Sequence, residues 1–199
     1  MRDALAEAKE EAFLTLKRFE RESVEGLDLS EITFKKADFD KCIFSDCDFS
    51  ETAFYECIFK DCAFINCRFQ RSFWKDSEWT GSKGDGSDFR RSRFKDSIIN
   101  NALLRYANFT NCVWERNKIE ETDFTETTFQ ENRFLKMELK KVNFTHVDFF
   151  KSELKGIDLS DCILDKITLS ETCKELRGAK IHSSQAAVVA TILGIEVIP

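Results

Sequence analysis

The sequence has no long apolar run: none reaches the roughly 18 consecutive residues that a membrane-spanning helix requires. The segment from Met1 to Phe19 carries Glu7, Glu10 and Glu11 and has no continuous apolar centre, so it is not typical of a secretory signal. The net charge of −6 disfavours binding to nucleic acid phosphates. We therefore expect a cytoplasmic protein that does not contact nucleic acid or membrane directly.

Histidine is scarce, with only His146 and His182 in the chain. Neither belongs to a recognisable Ser-His-Asp pattern, and the glycine-rich stretch Gly81–Gly86 lacks the Gly-Lys-Ser/Thr ending of a phosphate-binding loop. The eight cysteines lack the Cys-x-x-Cys spacing of zinc sites. The sequence thus predicts no enzyme, no bound metal and no cofactor.

Proline and glycine are also few, at one and seven residues. The chain has a strict period of five instead. Every fifth position from Leu29 to Leu169 holds a large apolar residue in 28 of 29 cases, and 16 of the 20 phenylalanines lie in this register. The exception is Gly84. This period excludes an ordinary helix, which repeats every 3.6 residues, and an ordinary strand, which repeats every two.

A second register, two residues before the first, holds small residues. Seven of the eight cysteines occupy it, from Cys42 to Cys162, with serine from Ser72 to Ser97. Cysteine buries well as a small residue, so we interpret these thiols as core packing. A chain that turns a corner every five residues and closes a square after four would point both registers inward, with successive coils at strand spacing.

The repeat resembles that of the pentapeptide-repeat family, with consensus Ala-(Asp/Asn)-Leu-x-x. Ala37-Asp38-Phe39, Ala107-Asn108-Phe109 and Ile157-Asp158-Leu159 are examples. The resemblance implies an all-β solenoid, a right-handed quadrilateral β-helix. We expect about seven coils over residues 27–173, with Phe34, Phe54 and Trp74 stacked above one another.

The two ends depart from the repeat. A helical apolar stripe predicts an N-terminal capping helix within residues 1–22, from Asp3 to Arg21, for which partner binding is the alternative. Residues 178–199 predict a short helix, capped at Ser183 or Ser184 and ended by Gly194. Apolar residues lie on all sides of this helix, so one side should pack on the last coil and the other on a second subunit in a two-fold dimer. The predicted interface comprises Ala186, Val189, Ala190, Ile192, Leu193, Ile195 and Val197.

Two features of the repeat are candidates for partner binding. The first is the interruption, predicted to form a mobile turn, for which a surface bulge and a contact loop are both open; its residues are Gly81, Ser82, Lys83, Gly84, Asp85 and Gly86. The second is an outward acidic column of Glu56, Asp76 and Asp96. Such a column is either ordinary solvated surface or an imitation of duplex phosphates.

The C-terminal segment is similar to that of the quinolone-resistance pentapeptide-repeat proteins (the Qnr group). The residues that carry this similarity are Gly178, Ile181, Gln185, Ala186, Leu193, Gly194, Ile195 and Val197. Tyr106-Ala107-Asn108-Phe109 also has a counterpart there, and Gly81–Gly86 falls where that group carries its shorter loop. This chain has no second, longer loop and adds an N-terminal helix.

The resemblance implies a homodimeric rod with DNA-like character that binds bacterial type II topoisomerases, DNA gyrase and topoisomerase IV, and protects them from quinolones. Two alternatives remain open. The chain is either a scaffold for a different protein partner, or an immunity protein against a toxin that attacks gyrase, a role found elsewhere in the family.

Overall fold

The structure is a computed structural model that describes residues 1–198. It is an all-β parallel solenoid with a helix at each end. The first helix, α1, spans Arg2–Glu11, and the last, α2, spans Ala186–Ile192. Two short 3₁₀ helices, Lys174–Leu176 and Ser183–Gln185, lie between the solenoid and α2. Neither α-helix of the described chain is long and apolar enough to cross a bilayer.

The solenoid has four faces, each made of three-residue strands or single bridges that repeat every twenty residues. The first face is a seven-stranded parallel sheet of Phe13–Thr15, Thr33–Lys35, Ala53–Tyr55, Phe73–Lys75, Arg93–Lys95, Val113–Glu115 and Arg133–Leu135. The second is a sheet of the same size: Arg18–Glu20, Asp38–Asp40, Ile58–Lys60, Glu78–Thr80, Ile98–Asn100, Lys118–Glu120 and Glu138–Lys140.

The third face begins with the strands Ser23–Glu25, Ile43–Ser45 and Ala63–Ile65 and continues as isolated bridges from Ala63 through Lys83 to Ile163. The fourth face is made of bridges alone, from Asp28 and Asp48 up to Thr168. In every pair except Asp158 with Lys180 at the C-terminal end, residue i faces residue i+20 in parallel register. Backbone groups of one coil are thus hydrogen-bonded to the coils above and below, which removes all sheet edges except those at the two ends.

The core consists of the side chains of the two inward-facing registers, one large and one small. The large residues form continuous stacks: the Phe34 ring lies 5.3 Å from that of Phe54, which lies 3.9 Å from Trp74. These parallel stacks confirm the predicted alignment, and each coil adds edge-to-face contacts such as Phe39 against Phe44 at 5.5 Å. Aromatic pairs of this kind contribute about 0.5–1.5 kcal/mol beyond simple burial.

The thiols are part of this core. All eight cysteines are free and buried. Burial raises the pKa of Cys57 to about 11 and that of Cys112 to about 12, so both stay protonated at neutral pH.

The corners explain why the chain needs so little glycine. Residues whose numbers end in 1 or 6 adopt left-handed backbone angles almost throughout, and nearly all of them carry side chains, for example Glu51 at φ 60° and Arg71 at φ 56°. Such a conformation costs roughly 1–2 kcal/mol per non-glycine residue. The interlocked hydrogen bonds of neighbouring coils hold it, as when the amide of Arg71 donates to the carbonyl of Arg90 at 2.9 Å.

The predicted N-terminal helix is correct in kind but too long. Helix α1 ends at Glu11, where Ala12 turns left-handed at φ 55°, and the first strand begins at Phe13 rather than near residue 27. Leu14, Phe19 and Val24 continue the five-residue register backwards and are buried in the solenoid. The helix covers the first coil through the buried Leu5 and Ala8. Pro199, the last residue of the predicted C-terminal module, lies outside the described residues.

Candidate interaction surfaces

The Gly81–Gly86 stretch is part of the regular coil and forms neither a bulge nor a projecting loop, so the predicted interruption of the coil is wrong. Lys83 bridges Ala63 below and Leu103 above, and the amide of Gly84 donates to the carbonyl of Leu103 at 2.8 Å. The twenty-residue hydrogen-bond register therefore passes through the stretch unbroken, because it depends on backbone groups that glycine also carries.

Gly84 occupies an inward core position, where neighbouring large side chains fill the space. A Cβ placed on it would meet Leu104 Cδ2 at 3.0 Å and the Trp79 ring at 3.4 Å. An internal cavity of about 10 Å³ nearby is lined in part by Trp79 and Leu104. Ser82 is fully buried, so only Lys83, Asp85, Gly81 and Gly86 of the predicted contact stretch reach the surface.

Asp85 is engaged in an ion pair with Arg105 on the next coil, accepting from Nε at 3.1 Å and from the backbone amide of Arg105 at 2.9 Å. Gly81 lies directly above Asp61 of the preceding coil, where a Cβ would clash with Oδ1 of the carboxylate. Of the predicted stretch, Lys83 is thus the side chain that is most available to a partner.

The acidic column is aligned as predicted, with Glu56, Asp76 and Asp96 at the same corner of successive coils. Each carboxylate has a cationic neighbour, however. Lys36 pairs with Glu56 at 3.5 Å, Lys75 with Asp76 at 3.4 Å, and Arg116 with Asp96 at 2.6 Å. The hydrogen bond from Arg116 lowers the pKa of Asp96. These cations weaken the negative field of the column.

The same pairing runs over the whole rod. Eleven of the eighteen ion pairs among residues 1–198 join residue i to residue i+20 on the next coil. They are 36–56, 48–68, 51–71, 85–105, 95–115, 96–116, 118–138, 120–140, 121–141, 131–151 and 133–153. The acidic residues Glu115, Glu120, Glu121 and Glu131 are among these partners. The outward charges therefore alternate along many columns.

The C-terminal end of the solenoid is closed by two polar side chains that replace the missing next coil. Elsewhere a corner amide donates to a carbonyl nineteen residues later, as Glu131 does to Phe150 at 3.0 Å. The amide of Lys151 donates instead to Oε1 of Glu175 at 2.9 Å, and Oε2 of Glu175 accepts from the amide of Ser170 at 3.2 Å and from its hydroxyl at 2.8 Å. Glu175 is itself 2 % exposed.

Gln185 closes the neighbouring part of the same end. Its Nε2 donates to the carbonyls of Leu159 at 3.0 Å and Cys162 at 2.6 Å, and its Oε1 accepts from the amide of His182 at 2.6 Å. Sequence reasoning used Gln185 only as a mark of resemblance and missed Glu175. Both are polar residues just after the last regular coil, but that position alone does not show which amides and carbonyls they reach.

The predicted dimer residues divide into two groups. Val189 and Ile192 are half-buried and pack against the solenoid core. Leu193, Ile195 and Val197 are 49, 55 and 49 % exposed, while Ala186 is exposed and Ala190 half-buried. The tail therefore presents an apolar outer side, continued by Ile198 at 81 % exposure. Exposed apolar residues that follow one another in this way are typical of contact surfaces.

Within the described residues, no group of three or more His, Cys, Asp or Glu side chains converges to hold a metal ion. The interior of the coil is filled by aromatic and aliphatic side chains, and two internal cavities measure about 10 Å³ each. A space of that size is about that of one water molecule.

Comparison with known families assigns the repeat. A model of the pentapeptide repeat region matches residues 17–83, and a model of eight pentapeptide repeats matches residues 136–165. The chain belongs to the pentapeptide-repeat family. The match from residue 17 onward agrees with a coil that begins before residue 27. No curated protein matches the chain at a significant level.

Solved structures of pentapeptide-repeat proteins are similar to this one. QnrB1, described as a plasmid-mediated fluoroquinolone resistance protein, is 21 % identical over 94 % of this chain and 100 % of its own, with a TM-score of 0.36 for a trypsin-treated variant. HetL from Nostoc sp. strain PCC 7120 is described as involved in heterocyst differentiation regulation. It is 14 % identical over 85 % of this chain and 90 % of its own, with a TM-score of 0.43. A pentapeptide-repeat protein of the Arabidopsis thaliana thylakoid lumen is 14 % identical over 86 and 87 % of the two chains, with a TM-score of 0.32.

Proposed function

We propose that this pentapeptide-repeat protein is a non-enzymatic interaction protein that forms a homodimeric rod, binds a bacterial type II topoisomerase and protects it from quinolones. The observation that carries the proposal is the C-terminal end. There, Leu193, Ile195 and Val197, which belong to the similarity with the Qnr group, lie about half exposed on a segment that is anchored to the last coil.

Anchoring and exposure together support a contact with a second copy. Gln185 fixes the start of α2 to the carbonyls of Leu159 and Cys162, and Val189 and Ile192 pack on the core. The outer side of the tail is then held in a defined position with its apolar side chains in water. A two-fold contact would cover this surface with the same surface of a partner subunit and would double the length of the rod.

The dimer is tested by size-exclusion chromatography with light scattering. We expect a dimer for the unchanged protein and a monomer for Leu193→Asp, because an interfacial carboxylate would be desolvated without a partner. Ile65→Asp is the matched control, since Ile65 is 50 % exposed but lies in the middle of the third face. A monomeric unchanged protein, or equal loss of the dimer in both variants, would refute the C-terminal interface.

The topoisomerase is tested by a supercoiling assay of DNA gyrase with ciprofloxacin, and by decatenation with topoisomerase IV. We expect the added protein to restore activity in the presence of the drug. Lys83→Ala and Glu56→Gln then test the two candidate surfaces, with Lys166→Ala as a control on a distant corner. No restoration with either enzyme, and no inhibition at high protein concentration, would refute topoisomerase protection.

A second candidate is a scaffold for a different protein partner. The coil-to-coil ion pairs favour it, because the carboxylates of the acidic column are neutralised by Lys36, Lys75 and Arg116 and so imitate duplex phosphates less closely. Capture of a partner other than a topoisomerase from host extract, lost in Lys83→Ala or Glu56→Gln, would favour this candidate. A gyrase-targeting toxin in place of the quinolone tests the immunity role in the same assay.

A further inference from the structure

A basic groove runs across the fourth face, at the corner that leads to the first face. We define it by the residues that line it: Gln70, Arg71, Arg90, Arg91, Thr110, Asn111 and Glu131. The space within it measures about 330 Å³, and its lining residues lie on four successive coils. A volume near 300 Å³ is at the lower end of small-molecule sites.

The three arginines do not have equal freedom. Arg90 is bound to Asp88, with Nε 2.9 Å from Oδ1 and Nη2 2.6 Å from Oδ2. Arg71 is bound to Glu51 through its Nε and Nη2 atoms. In both cases one edge of the guanidinium is occupied, and the Nη1 group has no acceptor among residues 1–198. A guanidinium held in this way is pre-oriented, so little freedom is lost when it binds an anion.

Arg91 is different, because its side chain makes no ion pair or hydrogen bond with any of residues 1–198. Its corner lies between those of Arg71 on the coil below and Asn111 on the coil above. Two arginines are therefore adjacent in this column, whereas the charges alternate in many other columns. Stacked like charges are unfavourable unless an anion lies between or beside them. The geometry of the groove thus leaves one unpaired cation next to two fixed ones.

The surrounding charges leave a local excess of one positive charge. Arg71, Arg90, Arg91 and Lys151 contribute four positive charges. Glu51, Asp88 and Glu131 contribute three negative ones, and Glu131 is itself held by Lys151 at 3.8 Å. Asp88 is further fixed by Gln70, whose Nε2 donates to Oδ2 at 2.6 Å. The carboxylates nearest the arginines are therefore already engaged, in a chain whose net charge is −6.

We propose that this groove binds a small phosphate-bearing molecule, with Arg91 as the principal contact and Arg71 and Arg90 as fixed flanking donors. The donors come from coils about 4.8 Å apart, so they approach a ligand from several directions over about 10 Å. A tetrahedral phosphate, or two linked phosphates, offers acceptor oxygens in all these directions, whereas a single carboxylate offers two in one plane. The Thr110 hydroxyl and the Asn111 amide, which line the groove, supply neutral partners.

The test is isothermal titration of the full-length protein with inorganic pyrophosphate at low ionic strength. We expect saturable binding that Arg91→Gln weakens about tenfold or more, because its guanidinium is the unpaired one. Arg91→Lys should bind at an intermediate level, since it keeps the charge and loses the fork. Arg93→Gln is the matched control: Arg93 is also exposed and unpaired among the described residues, but it does not line the groove, so its loss should change affinity less than about twofold.

Three outcomes would overturn the proposal. Equal weakening in Arg91→Gln and Arg93→Gln would show general attraction of anions to a basic region. Binding of citrate with no binding of pyrophosphate would show a carboxylate site instead of a phosphate site. Absence of saturable pyrophosphate binding by the unchanged, folded protein would show that no such site exists. None of these results depends on topoisomerase protection, which is measured separately.

Discussion

Replacing Glu175 should loosen the C-terminal end of the solenoid selectively. Glu175 is buried and accepts three hydrogen bonds, from the amide of Lys151 at 2.9 Å and from the amide and hydroxyl of Ser170 at 3.2 and 2.8 Å. Hydrogen bonds to a charged group contribute about 1.5–3 kcal/mol each and are not additive. Glu175→Ala would leave the amide of Lys151 without its acceptor, so we expect a loss of about 2–4 kcal/mol from the free energy of unfolding.

The effect should depend on pH in a defined direction. Burial of Glu175 opposes its ionisation, but the hydrogen bonds from its own backbone, Lys151 and Ser170 outweigh burial, so the net result is a lowered pKa. A carboxyl whose folded pKa lies below its unfolded value stabilises the fold above the unfolded pKa and loses that contribution as pH falls through the folded pKa. The difference between the unchanged protein and Glu175→Ala should therefore be full at neutral pH and shrink below about pH 4.

Urea unfolding at several pH values, followed by far-UV circular dichroism, measures both quantities. Glu171→Ala is the control, because Glu171 is exposed at the same end and makes no side-chain hydrogen bond among the described residues. Hydrogen exchange should show faster exchange at the Lys151 amide in Glu175→Ala only. A change in stability below about 0.5 kcal/mol, or one that is equal at pH 7 and pH 3, would refute the capping role.

Substitutions at three further positions test the packing and the corners. Cys112→Ser should raise the free energy of unfolding by about 1 kcal/mol, since Trp114 Nε1 is buried and has no partner among residues 1–198, while the equivalent Trp74 donates to a serine hydroxyl at 2.8 Å. Thermal unfolding of this variant checks it. Glu126→Gly should stabilise by up to about 1 kcal/mol relative to Glu126→Ala, because Glu126 has φ 57°, and urea unfolding of the two variants measures it. Gly86→Ala should lower the free energy of unfolding by about 1 kcal/mol in the same assay, since φ is 71° and no contact offsets the strain. Equal stability of Glu126→Gly and Glu126→Ala, or of Gly86→Ala and the unchanged protein, would refute the strain argument.

The sequence predicted the fold because one pattern specifies both the local corner and the contact between coils. A residue in the large register is buried, and its neighbour twenty residues on lies directly above it, as with Phe34, Phe54 and Trp74. The cysteines were likewise correctly placed in the core. The reason is physical: in a solenoid each coil contacts only its neighbours, so long-range contacts occur at one fixed separation in sequence.

The structure differs from the prediction in two places. In one, two sequence patterns compete, and in the other, backbone hydrogen bonds rather than side chains determine the conformation. Between Leu5 and Phe19 the apolar residues fit a helical stripe, but Leu14 and Phe19 also fit the period of five. Pairing of Phe13 with Thr33 on the next coil decides between them. At Gly84 the side-chain pattern is broken, whereas the backbone register is not, and the register depends on amides and carbonyls that every residue except proline shares.

The surfaces were only partly predictable, and the two ends show why. Along the rod, charges can be paired by adding twenty to a residue number, which places Glu51 beside Arg71 and leaves Arg91 beside another arginine. At the ends there is no next coil, so the partner of a free amide is whichever nearby polar side chain reaches it, as Glu175 and Gln185 do. The middle of the rod is thus governed by register and its termini by local capping. Sites that depend on register, such as the basic groove, can be found by reading columns of the sequence, whereas capping residues require the structure.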